Sequence, residues 1–138
     1  MKPQLLVNID VDDLARAEAF YVDAFGLTVG RRFGDEVIEL VGGEAPIYLL
    51  RKPSASSAGD ATTQTRDYRR HWTPLHLDFV VADLDDALIR AQAAGAVLEG
   101  EPRTAVWGRL ATLADPFGHG FCLIEFRGRG YDEIATNA

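Results

Sequence analysis

A chain of 138 residues with 47% hydrophobic and 25% charged side chains has the composition of an ordinary globular domain and the length to bury a core. Its formal net charge is -7 and nothing in it resembles the basic stripe that nucleic-acid binding needs, and no window reaches the ~18 apolar residues of a membrane span, so neither partner is expected. A single cysteine, Cys122, rules out an intramolecular disulfide, and no basic stretch leads into an apolar run as in a signal peptide, so a cytoplasmic location is expected.

Leu5 to Val11 alternates in the manner of a strand, with Leu5, Val7, Ile9 and Val11 against Leu6, Asn8 and Asp10. Asp12 and Asp13 then stand where a helix N-cap belongs. Leu14, Ala17, Tyr21 and Ala24 fall on one helical face, and Gly26 suits the residue after the helix. Thr28–Phe33, Glu36–Val41 and Ile47–Arg51 are further strand candidates, separated by the turn pairs Gly34-Asp35 and Gly42-Gly43.

The pattern then returns. His76–Val81 alternates, Asp83 is a candidate N-cap, and Leu84, Ala87, Leu88, Ala91 and Ala94 form a helical stripe closed by Gly95. Val97–Glu99, Arg109–Ala114 and Phe121–Phe126 read as three strands, the last two joined by the turn Asp115-Pro116-Phe117-Gly118. Adding 70 to a residue number lays Val7 on Leu77, Ile9 on Phe79, Val11 on Val81, Asp13 on Asp83, Leu14 on Leu84 and Ala17 on Ala87; a one-residue gap brings Gly26 onto Gly95. The expected fold class is therefore α+β, built from two βαβββ modules that cannot bury their apolar faces singly. Module 1 spans 5–52 and module 2 spans 73–127. Between them lies a linker, 53–72, whose Ser, Ala, Thr and Gly content suggests mobility, and a tail without periodicity covers 128–138.

Three segments carry a family resemblance. VDDLARAEAFYVDAFGL (11–27) and LHLDFVVADLDDALIRAQAAGA (75–96) resemble the two strand–helix units of the vicinal oxygen chelate superfamily, which includes glyoxalase I, bleomycin-resistance proteins and extradiol dioxygenases. WGRLATLADPFGHGFCLIEF (107–126) resembles its closing hairpin with an Asp-Pro-x-Gly turn. The resemblance implies that the modules curl into an incomplete barrel around a cleft, that a small molecule binds there, and that the protein is a homodimer.

It also implies where a metal would sit. Metal-using members draw His or carboxylate ligands from four strand positions, which correspond here to Leu6, Tyr48, His76 and Cys122. Only His76 matches. The chain is thus nearer the metal-free, bleomycin-resistance-like members, and no cofactor is expected; a divalent metal held through His76 is the alternative. His76 is the candidate catalytic residue. Asn8, Asp10, Tyr48, Asp78, Trp107, Arg109 and Cys122 join it as candidate pocket residues: Asn8, Asp10 and Asp78 by strand parity, Trp107 as a stacking ring, Arg109 as an anion donor. A core Trp and a solvated Arg are equally open readings, and a lone Cys is most often a small buried hydrophobe. His119, just past the turn, is expected to be exposed.

Two functions follow. One is a sequestration or resistance-type binding protein that uses no metal. The other is a metal-dependent lyase, isomerase or dioxygenase in which His76 is a ligand or general base assisted by Tyr48, Asp78 or Cys122.

Overall fold

A computed structural model describes residues 1–136 and divides into two compact units at Arg69/Arg70, each an open sheet with one helix laid on it. The architecture is α+β, as the element order predicts. Among the described residues no helix is long and apolar enough to cross a membrane.

The first unit runs β1 (Val7–Val11), α1 (Leu14–Phe25), β2 (Thr28–Phe33), β3 (Val37–Val41) and β4 (Ile47–Arg51), in the sheet order β1-β4-β3-β2. β1 pairs with β4 in parallel, and the other pairs are antiparallel. Helix α1 starts where Asp13, in extended conformation, accepts from the Arg16 N–H at 3.0 Å. It stops at Gly26, whose left-handed backbone (φ 65°) returns its N–H to the Val22 carbonyl. Ala17, Phe20, Tyr21 and Ala24 are its buried residues. They meet the apolar face of the sheet, where Val11, Ile38, Leu40, Ile47 and Leu49 are all 5% exposed or less. Leu5 and Leu6, expected inside the first strand, precede it and are exposed.

Residues 53–67, read from composition as a mobile linker, fold back as a narrow hydrogen-bonded arm. Ala55 and Arg66 exchange backbone bonds with Arg66 and Ser56, and Ser57 bridges Thr65. The Arg66 Nε donates to Asp10 Oδ2 at 2.7 Å, and the Tyr68 hydroxyl donates to the Lys52 carbonyl at 2.7 Å. These anchors are single polar contacts with no periodicity, so pattern reading does not register them.

The second unit runs β5 (Leu77–Val80), α2 (Leu84–Ala94), β6 (Val97–Leu98), β7 (Arg103–Ala105), β8 (Gly108–Ala114) and β9 (Gly120–Phe126). The order is β5-β9-β8-β6, with β5 parallel to β9 and β7 paired to β8. Strand β7 was not foreseen: it is three exposed residues turned back through Val106-Trp107 into Gly108. Asp83 caps α2 by accepting from Asp86 N–H at 3.1 Å. The turn at 115–118 is held by Asp115, whose carboxylate accepts from the N–H groups of Phe117 (2.8 Å) and His119 (2.9 Å). His119 is half-buried rather than exposed, with its Nδ1 2.9 Å from Nε2 of His71. In the tail, a 3-10 turn at Gly130–Glu133 carries Tyr131 onto Phe126 and Trp107. Residues 137–138 of the expected tail lie outside the described residues.

Candidate functional site

In the second unit, β5 and β9 run in parallel with Asp78 opposite Cys122, and β8 places Thr112 on the other side of Cys122. Helix α2 covers the alternate residues: Glu125 accepts from the Leu84 N–H at 2.9 Å, and Arg109, its cross-strand partner, reaches Asp85 at 3.1 Å. Asp78, Thr112 and Cys122 therefore share the face away from α2. His76, one step before β5, turns onto the same face with Nε2 3.2 Å from Asp78 Oδ1. Ligand atoms of His76, Asp78 and Cys122 lie within 4.8 Å of one another.

Burial pushes the Cys122 thiol above its ordinary range; a hydrogen bond with Thr112 pulls it back, and the Asp78 charge raises it again. Cys122 is thus a neutral thiol around pH 7, a weak donor and a poor nucleophile. The cluster brings together an imidazole, a carboxylate and a soft, poorly solvated sulfur.

The first unit builds a second cluster on the corresponding face. Asn8, Tyr48 and Glu39 lie side by side across β1, β4 and β3. Glu39 is 7% exposed, yet its carboxylate is fully engaged. The Tyr48 hydroxyl donates to Oε2 at 2.7 Å, and Arg31 donates through Nη2 at 2.7 Å, Nε at 3.0 Å and its backbone N–H at 3.0 Å. These donors, Arg31 first and Tyr48 next, hold the carboxyl at about 2. Two backbone features bring Arg31 there. A register shift between Val29 and Arg32 puts Arg31 on the Glu39 side instead of under α1, while Arg32 reaches Glu18 of the helix. Gly30 leaves the space: a Cβ on it would stand 2.6 Å from Glu39 Oε1. Asp10 lies farther along the face, paired to Arg66.

Two residues expected at the pocket lie elsewhere. Arg109 is on the α2 side of its sheet, because strand parity from Thr112 puts odd residues under the helix. Trp107 sits in the β7–β8 turn, where its ring meets Tyr131 at 5.5 Å and Phe126 at 6.5 Å. Its stacking partner is the protein's own tail, and Phe126 is four residues along β9 from Cys122, ~13 Å at ordinary strand rise. Conversely Arg31, Phe33, Glu39 and Thr112 share these two faces without standing among the expected pocket residues. Alternation in VIELV (37–41) places Glu39 opposite the core, which was the available signal; the bulge that delivers Arg31 leaves none.

The glyoxalase-like domain family matches residues 6–124. The chain belongs to that family. This glyoxalase-like domain is 41% identical over 136 residues to the anthracycline biosynthesis protein DnrV of Streptomyces peucetius and 32% identical over 135 residues to DauV of Streptomyces sp. (strain C5). Each match takes in 96% of the chain but 44% of the relative, so the domain spans less than half the length of either. Among solved structures, the fosfomycin resistance protein FosX of Listeria monocytogenes superposes with a TM-score of 0.69 at 19% identity, over 94% of this chain and 97% of that one. The fold is that of the vicinal oxygen chelate superfamily.

Set against a metal, the four positions of this glyoxalase-like domain do not fit. Leu6 has no donor atom. The Tyr48 hydroxyl is committed to Glu39, and the neighbouring carboxylate is neutralised by a guanidinium at 2.7 Å. His76 and Cys122 remain, with Asp78 as an added third donor from outside the quartet.

Proposed function

We propose that this domain binds a small organic molecule without a metal ion, as a sequestration or resistance-type protein that acts as a homodimer in the cytoplasm. The observation that carries the reading is Tyr48. At a position where metal-using relatives place a carboxylate, its hydroxyl is spent on Glu39, so the first unit offers rings and hydrogen-bonding groups rather than ligands. His76, Asp78 and Cys122 then serve as directed polar contacts. DauV and DnrV are named for anthracycline biosynthesis and FosX for fosfomycin resistance, which puts antibiotic-sized molecules first among the compounds to try.

The test combines elemental analysis of protein purified without chelator with calorimetry against an anthracycline, a bleomycin and fosfomycin. Metal well below one equivalent, together with saturable binding that His76→Ala and Asp78→Asn weaken, is the expected result. One equivalent of metal that disappears in His76→Ala would overturn it. That outcome would favour the competing reading, a metal-dependent lyase, isomerase or dioxygenase, for which the specific observation is the convergence of three donors within 4.8 Å.

A further inference from the structure

We infer that the free face of β2, β3 and β4 is a stacking subsite for a planar, fused-ring aromatic ligand bearing an anionic or carbonyl oxygen, with Arg31 as the donor to that oxygen. The inference rests on the small-molecule reading above and adds the ligand class and the residues that select it.

The face is laid out in two rows. One is polar: Arg31, Glu39, Tyr48 and Asn8 follow one another from β2 to β1. The other is apolar over its first three strands: Phe33 pairs with Val37, and Val37 with Leu50. Two strand spacings separate its ends, ~10 Å, room for roughly two or three fused rings. The Phe33 and Tyr48 ring centroids are 6.5 Å apart with their planes tilted by 31°, so two aromatic rings stand close together on this face. Phe33 is 44% exposed, so part of its ring is open to a ligand.

Arg31 is fixed beside these rings. Its guanidinium lies 5.4 Å from the Phe33 centroid, and Nε and Nη2 are locked onto Glu39. Nη1 has no hydrogen-bond partner among the described residues, although the side chain is 67% exposed and free to hold one. A carboxylate buried under the sheet surface is a costly way to hold a surface arginine, and apolar packing would be cheaper. The arrangement does restrict the guanidinium to one orientation, with its outer edge over the apolar row. Glu39 is a positioning residue and Gly30 gives it room. A flat ring system on Phe33 and Tyr48 with an oxygen at its rim satisfies both rows. A flexible polyol or a simple inorganic anion satisfies one row only.

The probe is anthraquinone-2-sulfonate, a soluble three-ring quinone anion, titrated calorimetrically into the full chain, with methanesulfonate as the ringless control. Arg31→Met should weaken probe binding about tenfold or more, the loss of a charge-assisted hydrogen bond, with Arg31→Lys falling between. Phe33→Leu should weaken it about threefold to tenfold through lost stacking. Arg31→Met leaves the Glu39 carboxylate without its main partner and should lower the melting temperature, so a cooperative melt well above the titration temperature, together with an unchanged far-UV spectrum, will show that the variants fold. Probe binding that neither substitution alters, or methanesulfonate binding as tight as the probe's, overturns the subsite but leaves small-molecule binding standing. Failure of the probe alongside binding of a non-planar antibiotic overturns the ligand class. Failure of the probe and of every antibiotic in the panel overturns both readings.

Discussion

Cys122 shows how far a residue's type falls short of its chemistry. Strand parity put it on the same face as Asp78, and the structure does the same. What parity could not give is the protonation state, which depends on burial, Thr112 and the Asp78 charge acting together. Since the thiolate is the reactive form, raising the thiol suppresses alkylation at neutral pH. Iodoacetamide labelling of the folded protein at pH 7.5 is expected to be about tenfold slower, or more, than labelling of the urea-unfolded chain, and to climb as pH passes the ordinary thiol range. Equal rates in the two states would show that the fold does not raise the thiol, and faster labelling of the folded protein would return Cys122 to the list of nucleophiles. Glu39 is the opposite case. Its place on the face was legible in the alternation of VIELV, but its partner was not: with regular alternation Arg31 would lie under α1, and one extra residue between Val29 and Arg32 reverses that.

At the level of elements, the helices, their caps and eight of the nine strands were readable because each has a local cause. Asp13 and Asp83 cap, Gly26 and Gly95 stop, and apolar residues recur at the right period. The β7–β8 corner has no such cause. Trp107-Gly108-Arg109 reads as the start of a strand, and β8 does begin at Gly108, but the reversal from β7 through Val106-Trp107 leaves no signal; Gly108 takes φ 147° and lies against β9. A Cβ on Gly108 would stand 2.0 Å from the Glu125 carbonyl oxygen, and backbone cannot give way as a side-chain tip can. Gly108→Ala is therefore expected to destabilise the protein by about 3 kcal/mol, combining backbone strain with overpacking, as a lower urea midpoint. Gly59→Ala is the control. Its nearest neighbour would be the Thr62 methyl at 3.8 Å, and its effect should stay within about 0.5 kcal/mol. A Gly108→Ala protein as stable as the control would mean that the hairpin shifts to admit the methyl.

The whole molecule sets charge against itself, and the two effects pull in opposite directions with pH. The chain carries -7 at neutral pH and reaches zero near 4.8, so acidification from pH 7 first relieves self-repulsion in the compact state and raises stability. Four carboxyls act the other way. Glu18, Glu39 and Glu99 are held below the ordinary range of 4.5 mainly by hydrogen bonds from Arg32, Arg31 and Arg70, and Glu125 by the Leu84 N–H and then Arg127. A carboxyl depressed in the folded state contributes stability that is complete above its unfolded value and is lost as pH falls through the folded one. For Glu39 that loss extends from 4.5 down to about 2. On the alkaline side Tyr68, raised to about 12 by burial and then by the Asp10 charge, contributes stability below 10 that is lost as pH rises from 10 to 12. The urea midpoint is therefore expected to be highest at roughly pH 5–6 and to fall steeply below 4.5. Salt separates the two causes. The gentle slope between pH 5 and 7 comes from dispersed surface charge and should flatten in 0.5 M NaCl, whereas the acid limb rests on contacts of about 3 Å and should persist. Glu39→Gln should be less stable than the unmodified protein at pH 7, and the gap should close toward pH 2 as Glu39 itself takes up a proton. A gap that stayed constant with pH would show that Glu39 acts through packing rather than charge.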